Sequence, residues 1–124
     1  MGRLEVRSDI FKNRLYMKLE GYFTDGEVKE AADKVIKEVD KLKPGFDIIN
    51  DISTFKPASP KGINDIQKAI KYCSDYGLKR AMRIAPSSYF AASQFSRISK
   101  EVGGYDVETV ASLEEAERIL DKNV

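Results

Sequence analysis

The side chains with which this sequence can do chemistry gather in three short stretches. These are Asp51-Ile-Ser53-Thr54 running on to Ser59-Pro-Lys61-Gly62, then Pro86-Ser87-Ser88-Tyr89-Phe90, then Ala111-Ser112. Each joins small hydroxyl residues to the expected start of a helix, where free backbone N–H groups and the helix dipole favour an anion or a phosphate. Each serine also has a plainer use, because Ser is among the preferred helix caps. Asp51 has the chemistry of a general base, but neither a nucleophile nor an oxyanion site accompanies it. Ser59 is the expected switch. A phosphate there would meet the helix N-terminus, Lys61 would add a charge-assisted contact, and the new negative charge would block a docking partner without unfolding the domain. Asp51, Ser53, Thr54, Lys61 and Gly62 are then the partner-facing loop.

Aromatic side chains offer a second kind of site. Tyr72 and Tyr76 are spaced i, i+4 on the expected second helix, while Tyr89 and Phe90 open the third. Together they line a groove for an apolar ligand or a partner helix. The plainer alternative is that Phe90 staples a helix start and the tyrosines are half-buried with wet hydroxyls. Cys73 falls on the apolar stripe of the second helix with no basic partner placed to lower its pKa, so a buried, inert thiol is expected. Glycine-rich phosphate cradles of the dinucleotide or P-loop type are absent from the sequence.

Composition narrows the chemistry further. The chain has no histidine and one cysteine, which removes His-based catalysis, Cys/His zinc sites and an internal disulfide. No enzymatic activity, metal or cofactor is therefore expected. Lys+Arg is 21 and Asp+Glu is 20, a net charge of +1, which argues against bulk electrostatic binding to nucleic acid. The opening MGRLEVRSD has no apolar signal core, and Val6 stands where a myristoylation signal wants Ser or Thr. No apolar run approaches the ~20 residues of a membrane span. The expected address is the cytoplasm.

These side chains need elements to hold them. Leu4–Ser8 and Arg14–Glu20 alternate apolar and polar residues, which predicts an antiparallel hairpin around the turn at Asp9–Asn13. Thr24-Asp-Gly-Glu27 is a capping box, followed by Val28, Ala31, Ala32, Val35, Ile36, Val39 and Leu42 at helical spacing up to Pro44-Gly45. Phe46–Ile52 reads as a buried parallel strand and Ser53–Ala58 as a loop. Ser59 caps and Pro60 opens the second helix, with Ile63, Ile66, Ile70 and Cys73 inward and Gly77 as a left-handed cap. Leu78–Ala85 is the next strand. Pro86-Ser87-Ser88 opens a third helix with Ala91, Phe95, Ile98 and Val102 inward, ending at Gly103-Gly104. Tyr105–Ala111 is the last strand, and Ser112-Leu-Glu-Glu115 caps a final helix with Leu113, Ala116, Ile119 and Leu120 inward. The expected fold is one α/β domain over residues 1–124. Its order is ββαβαβαβα, with a mostly parallel five-stranded sheet, an antiparallel edge hairpin and four helices.

Gly21 after the second strand, Asp51-Ile52-Ser53, Gly77 before the fourth strand, and Ser112-Leu-Glu-Glu-Ala116-Glu opening the last helix carry a resemblance across nearly the whole chain. In this order they resemble the STAS domains of anti-sigma-factor antagonists, small bacterial or archaeal proteins. The likeness extends to a branch whose sheet-and-helix arrangement is similar to the lipid-binding CRAL-TRIO domains. In the antagonists, a serine in an Asp-Ser-Ser-Gly-Leu-Gly stretch is phosphorylated, and this releases a kinase partner. The matching segment here is Ala58-Ser59-Pro60-Lys61-Gly62-Ile63-Asn64. The resemblance implies that Ser59 takes the place of the phosphorylated serine, Gly62 of the first glycine and Ile63 of the leucine. Ala58, Pro60, Lys61 and Asn64 depart from the pattern. It further implies a regulatory domain with a protein partner, and the CRAL-TRIO likeness implies, as the alternative, a carrier or sensor of a small apolar or lipid-like ligand.

Overall fold

The alternating residues at the start of the chain become strands β1 (Arg3–Asp9) and β2 (Arg14–Gly21), paired antiparallel from Arg3↔Glu20 to Asp9↔Arg14. Side chains close their turn. Asp9 Oδ1 accepts from the N–H groups of Phe11 at 3.0 Å and Lys12 at 3.1 Å. Asn13 adopts φ 55°, a left-handed conformation that Asn tolerates better than most residues. The computed structural model describes residues 2–56, 59–85, 93–94, 96–97, 100 and 105–122.

Helix α1 (Asp25–Val39) starts at the expected capping box: Thr24 Oγ1 accepts from Glu27 N–H, and Glu27 Oε1 accepts from Thr24 N–H. Helix α2 (Pro60–Tyr76) starts with Ser59 as cap and Pro60 at its first position, and ends at Gly77 with φ 119°. A side chain at Gly77 would be doubly excluded. Its φ is left-handed, and a Cβ there would lie 2.8 Å from Pro44 Cα. The close approach lets Gly45 N–H donate to Gly77 C=O at 2.7 Å, which ties the ends of the two helices together.

Strands β3 (Asp47–Phe55), β4 (Arg80–Ile84) and β5 (Asp106–Val110) complete a five-stranded sheet in the order β1-β2-β3-β4-β5. Every pair beyond the hairpin is parallel. Helix α3 (Leu113–Asp121) follows β5. The α/β class, the strand count and the antiparallel edge are as the sequence predicts. Among the described residues there are three delineated helices rather than four. The remaining predicted helix falls on 86–102, of which only Ser93, Gln94, Ser96, Arg97 and Lys100 are described, all helical. Tyr89, Phe90 and Phe95 lie outside the described residues.

The sheet buries both faces. On one, Leu15 and Ile48 pack with Val35, Val39 and Leu42 of the α1 region and Cys73 of α2. On the other, Tyr16, Ile49, Met82, Ile84 and Val110 pack against Ala116 and Leu120 of α3. Two inward stripes differ from expectation. In α2 the buried residues are Gly62, Ala69 and Cys73, while Ile63, Ile66 and Ile70 are half-buried. Ile66 and Ile70 still face inward, where they line the space between α2 and the sheet. In α3, Leu113 is 44% exposed, because the stripe's first position lies outside the cluster that buries Ala116 and Leu120.

Candidate functional site

Strand β3 runs three residues past its expected end, so Ser53 and Thr54 belong to the sheet and not to a loop. The extra length is accommodated by an irregularity: Lys18 pairs with Asp51, but Glu20 pairs with Thr54. Three steps on β3 thus match two on β2, which is a bulge. It lets both Ile52 and Phe55 face the helices, where both are buried with Phe23 and Val28. Asp51 Oδ1 accepts from Ser53 N–H at 3.0 Å and from Ser53 Oγ at 2.7 Å. This carboxylate therefore serves the backbone of the bulge, a structural role for the residue that has the chemistry of a general base.

Ser59 sits where the N-termini of α1 and α2 meet. Its Oγ accepts from Gly62 N–H at 3.1 Å and donates to Asp25 Oδ1, an acidic residue in the first turn of α1. Gly62 is buried, and Lys61 and Thr54 are exposed. The structure thus brings Ser59, Gly62 and Asp25 together, and separately Asp51 with Ser53. A phosphate on Ser59 would enjoy the helix N-terminus but would stand against the Asp25 carboxylate. Added charge there would bear on the contact between the starts of the two helices.

Tyr72 and Tyr76 are spent at the other end of the helix pair. Tyr72 Oη donates to Asp40 Oδ1, which raises its pKa, and Tyr76 Oη donates to Leu42 C=O at 2.5 Å. Their rings stack 6.3 Å apart, and Phe46 meets Tyr76 edge-on at 6.0 Å. They pin α2 to the end of α1.

The inner face of the same helix borders a cavity. It lies between the sheet and the α1–α2 pair and measures about 90 Å³. From α1 it is lined by Val28, Ala31 and Val35, and from α2 by Ile66, Ala69 and Cys73. The sheet contributes Met17, Leu19, Ile48 and Phe55. Polar side chains enter only at Asn50, Arg83 and Tyr105 among the described lining residues. Asn50 and Arg83 are cross-strand neighbours on β3 and β4. Asn50 Oδ1 is buried without a hydrogen-bond partner, and burial lowers the pKa of Arg83. Burial also pushes the Cys73 thiol up to about 12, which keeps it protonated and unreactive near neutral pH. Sequence reasoning missed Asn50 and Arg83. The signal was there: both are polar residues at positions that alternate with Ile48, Ile52 and Ala81 on the helix-facing side of two strands.

A second buried polar cluster lies across the sheet, at the amino ends of the parallel strands. Arg14, 1% exposed, donates from Nη1 to Glu117 Oε1 at 2.5 Å and lies 3.1 Å from Asp121 Oδ1. Tyr16 Oη donates to the same Glu117 oxygen at 2.6 Å. Burial alone would lower the pKa of Arg14, but the bonds to Glu117, Tyr16 and Asp121 outweigh it and hold the guanidinium charged. On the neighbouring strand, burial raises the pKa of Asp47 despite the nearby Arg14, Lys79 and Arg80. Ligands of open α/β sheets meet the opposite, carboxyl end of the strands, so this cluster is a tether for α3. Among the described residues, no helix is long and apolar enough to cross a membrane.

No protein-family model matches the chain, and no curated protein matches it.

Proposed function

We propose that this protein is a non-enzymatic binding domain that carries or senses a small apolar molecule in the cavity between the sheet and the α1–α2 pair. The observation that carries this reading is the cavity itself, whose described lining is apolar except at Asn50, Arg83 and Tyr105. Protein interiors hold few voids larger than a water molecule. The pocket opens partly to solvent, which gives a small molecule a way in, and a few polar groups in an otherwise apolar pocket are what fixes a ligand's orientation.

Native mass spectrometry of protein purified from its own host tests the reading. The expected result is a bound small molecule that is lost when Ala69→Leu fills the cavity from α2. Wild type and Ala69→Leu carrying the same adducts, or neither carrying any, would count against it.

A regulatory protein-interaction domain of the STAS type is the second reading, and Ser59 favours it. The residue caps α2, faces Asp25 of α1 and heads the segment that resembles the antagonists' phosphorylated stretch. On this reading a protein partner docks near Ser59, Lys61 and Gly62, and phosphorylation weakens the docking. Pull-down with Ser59→Ala against phosphorylated protein separates the two, since only a switch makes partner recovery depend on the phosphate.

A further inference from the structure

The edge of the sheet at β1 has a pairing geometry of its own. Strand β1 ends the sheet order, and among the described residues only β2 pairs with it. Its register places Ser8 opposite Leu15, yet the Ser8 N–H donates to Glu38 Oε1 at 3.2 Å. Ser8 and Leu15 are therefore a pair without mutual hydrogen bonds, and the alternation of an antiparallel ladder repeats this at Val6 and Leu4. The backbone N–H and C=O groups of Leu4, Val6 and Ser8 all point outward, a template for one more strand. On the α1 side of the sheet, the Leu4 and Val6 side chains pack half-buried against the core. Arg3, Glu5, Arg7 and Asp9 stand on the opposite face, the first three exposed.

Those charges choose the strand that fits. Laid antiparallel on a second copy of itself about Val6, β1 sets Arg3 against Asp9 and Glu5 against Arg7, each pair occurring twice by symmetry. The outward groups of Leu4 then meet those of Ser8, and Val6 meets Val6. A slip of one residue puts the outward amides out of phase. A slip of two keeps them in phase but sets Glu5 against Glu5 with Arg3 against Arg7, or Arg7 against Arg7 with Glu5 against Asp9. Opposite charges directly across a ladder stabilise it and like charges oppose it, so one register is selected and its neighbours are rejected. We propose that β1 is a self-complementary docking edge, through which two copies of this chain join their sheets about a two-fold axis. Glu38 is its guard. It holds the outward Ser8 N–H until the partner's Leu4 C=O takes over, and Ser8 Oγ, 3.1 Å from the same carboxylate oxygen, keeps Glu38 nearby. Two strands of seven residues bury less than a permanent interface does, so the dimer is a transient one.

Sedimentation of the full chain across micromolar to millimolar concentrations, with backbone NMR on the same samples, tests this. Wild type should associate reversibly to a dimer, with amide shifts gathered at Leu4, Val6 and Ser8. Glu5→Arg alone and Arg7→Glu alone should each weaken the dimer about tenfold, because each sets like charges opposite one another twice. Glu5→Arg combined with Arg7→Glu restores opposite charges and should recover the dimer. Glu38→Ala, which releases the Ser8 N–H, should tighten it. A wild type that stays monomeric throughout overturns the docking edge. So does a double reversal that associates no better than either single one, or concentration-dependent shifts centred on β5 instead of β1.

Discussion

Ser59, Cys73 and Asp47 each carry a consequence that a single substitution exposes. The Ser59 hydroxyl accepts from α2 and donates to Asp25 of α1. Ser59→Ala should lose about 1 kcal/mol with the cap. Ser59→Asp keeps a capping oxygen but sets a carboxylate against Asp25, so it should be less stable than wild type by about 1–2 kcal/mol. Adding Asp25→Asn should restore most of that loss in a denaturation cycle. Equal stability of Ser59→Asp and wild type would mean that the two helix starts are not in contact. The Cys73 thiol, 3% exposed and pushed up to about 12, should resist alkylation in native protein and react promptly in denaturant. Fast labelling under native conditions would contradict its burial.

Acid should act on the carboxylates in opposite directions. The Glu27 and Glu38 carboxyls are held below the usual range, Glu27 by the Thr24 N–H and Glu38 by Lys41 and then Ser8. Their stabilisation is present above the ordinary carboxylate range and is lost as pH falls through their lowered values. Asp47 is raised by burial, so its penalty appears only as pH rises through its raised value. Asp47→Asn removes that penalty. Its stability relative to wild type should therefore be greater near neutral pH than in acid, measured by urea unfolding at both. A gain that is largest in acid would show that the Asp47 carboxylate is stabilised in the fold.

At the scale of elements, the tether of α3 is the clearest test of how the sheet's second face is closed. Glu117→Ala strips one oxygen from both Arg14 and Tyr16, leaving a buried guanidinium with Asp121 and Lys12 for company. The cost should be about 2–3 kcal/mol, below that of a fully buried pair because Glu117 keeps 29% of its side chain in solvent. A loss under about half a kcal/mol would mean that α3 is held by Ala116 and Leu120 alone. Most elements were legible because their signals are local: Thr24 with Glu27, Ser59 with Pro60, Gly77, and the alternation in β1 and β2. The end of β3 was not, because Ser53 and Thr54 look like loop residues. Their strand conformation depends on the pairing of Thr54 with Glu20 and of Phe55 with Gly21, a contact beyond the bulge that no local pattern announces. Ser112 caps α3 as expected, but the Glu115 carboxylate reaches Ala111 N–H, one residue beyond the cap.

At the scale of the whole molecule, the site was harder to read than the fold. Tyr72 and Tyr76 sit at the spacing of a groove, but what they do depends on Asp40 and Leu42 lying within reach, which is a matter of how α1 ends. The cavity is the converse case. Its walls are ordinary core residues, each indistinguishable in sequence from a packed one, and only the fit of two helices over one sheet leaves space among them. Asn50 and Arg83 were the legible part, as polar residues on apolar rows of β3 and β4. The most direct test is xenon, an uncharged probe that enters apolar cavities, monitored by methyl NMR of the full chain. Xenon should shift Leu19, Val28, Ile66 and Ala69, which line the cavity, and leave Ile49, Ile119 and Leu120 across the sheet unmoved. Shifts of equal size on both faces, or none at Ile66 and Ala69, would contradict the account.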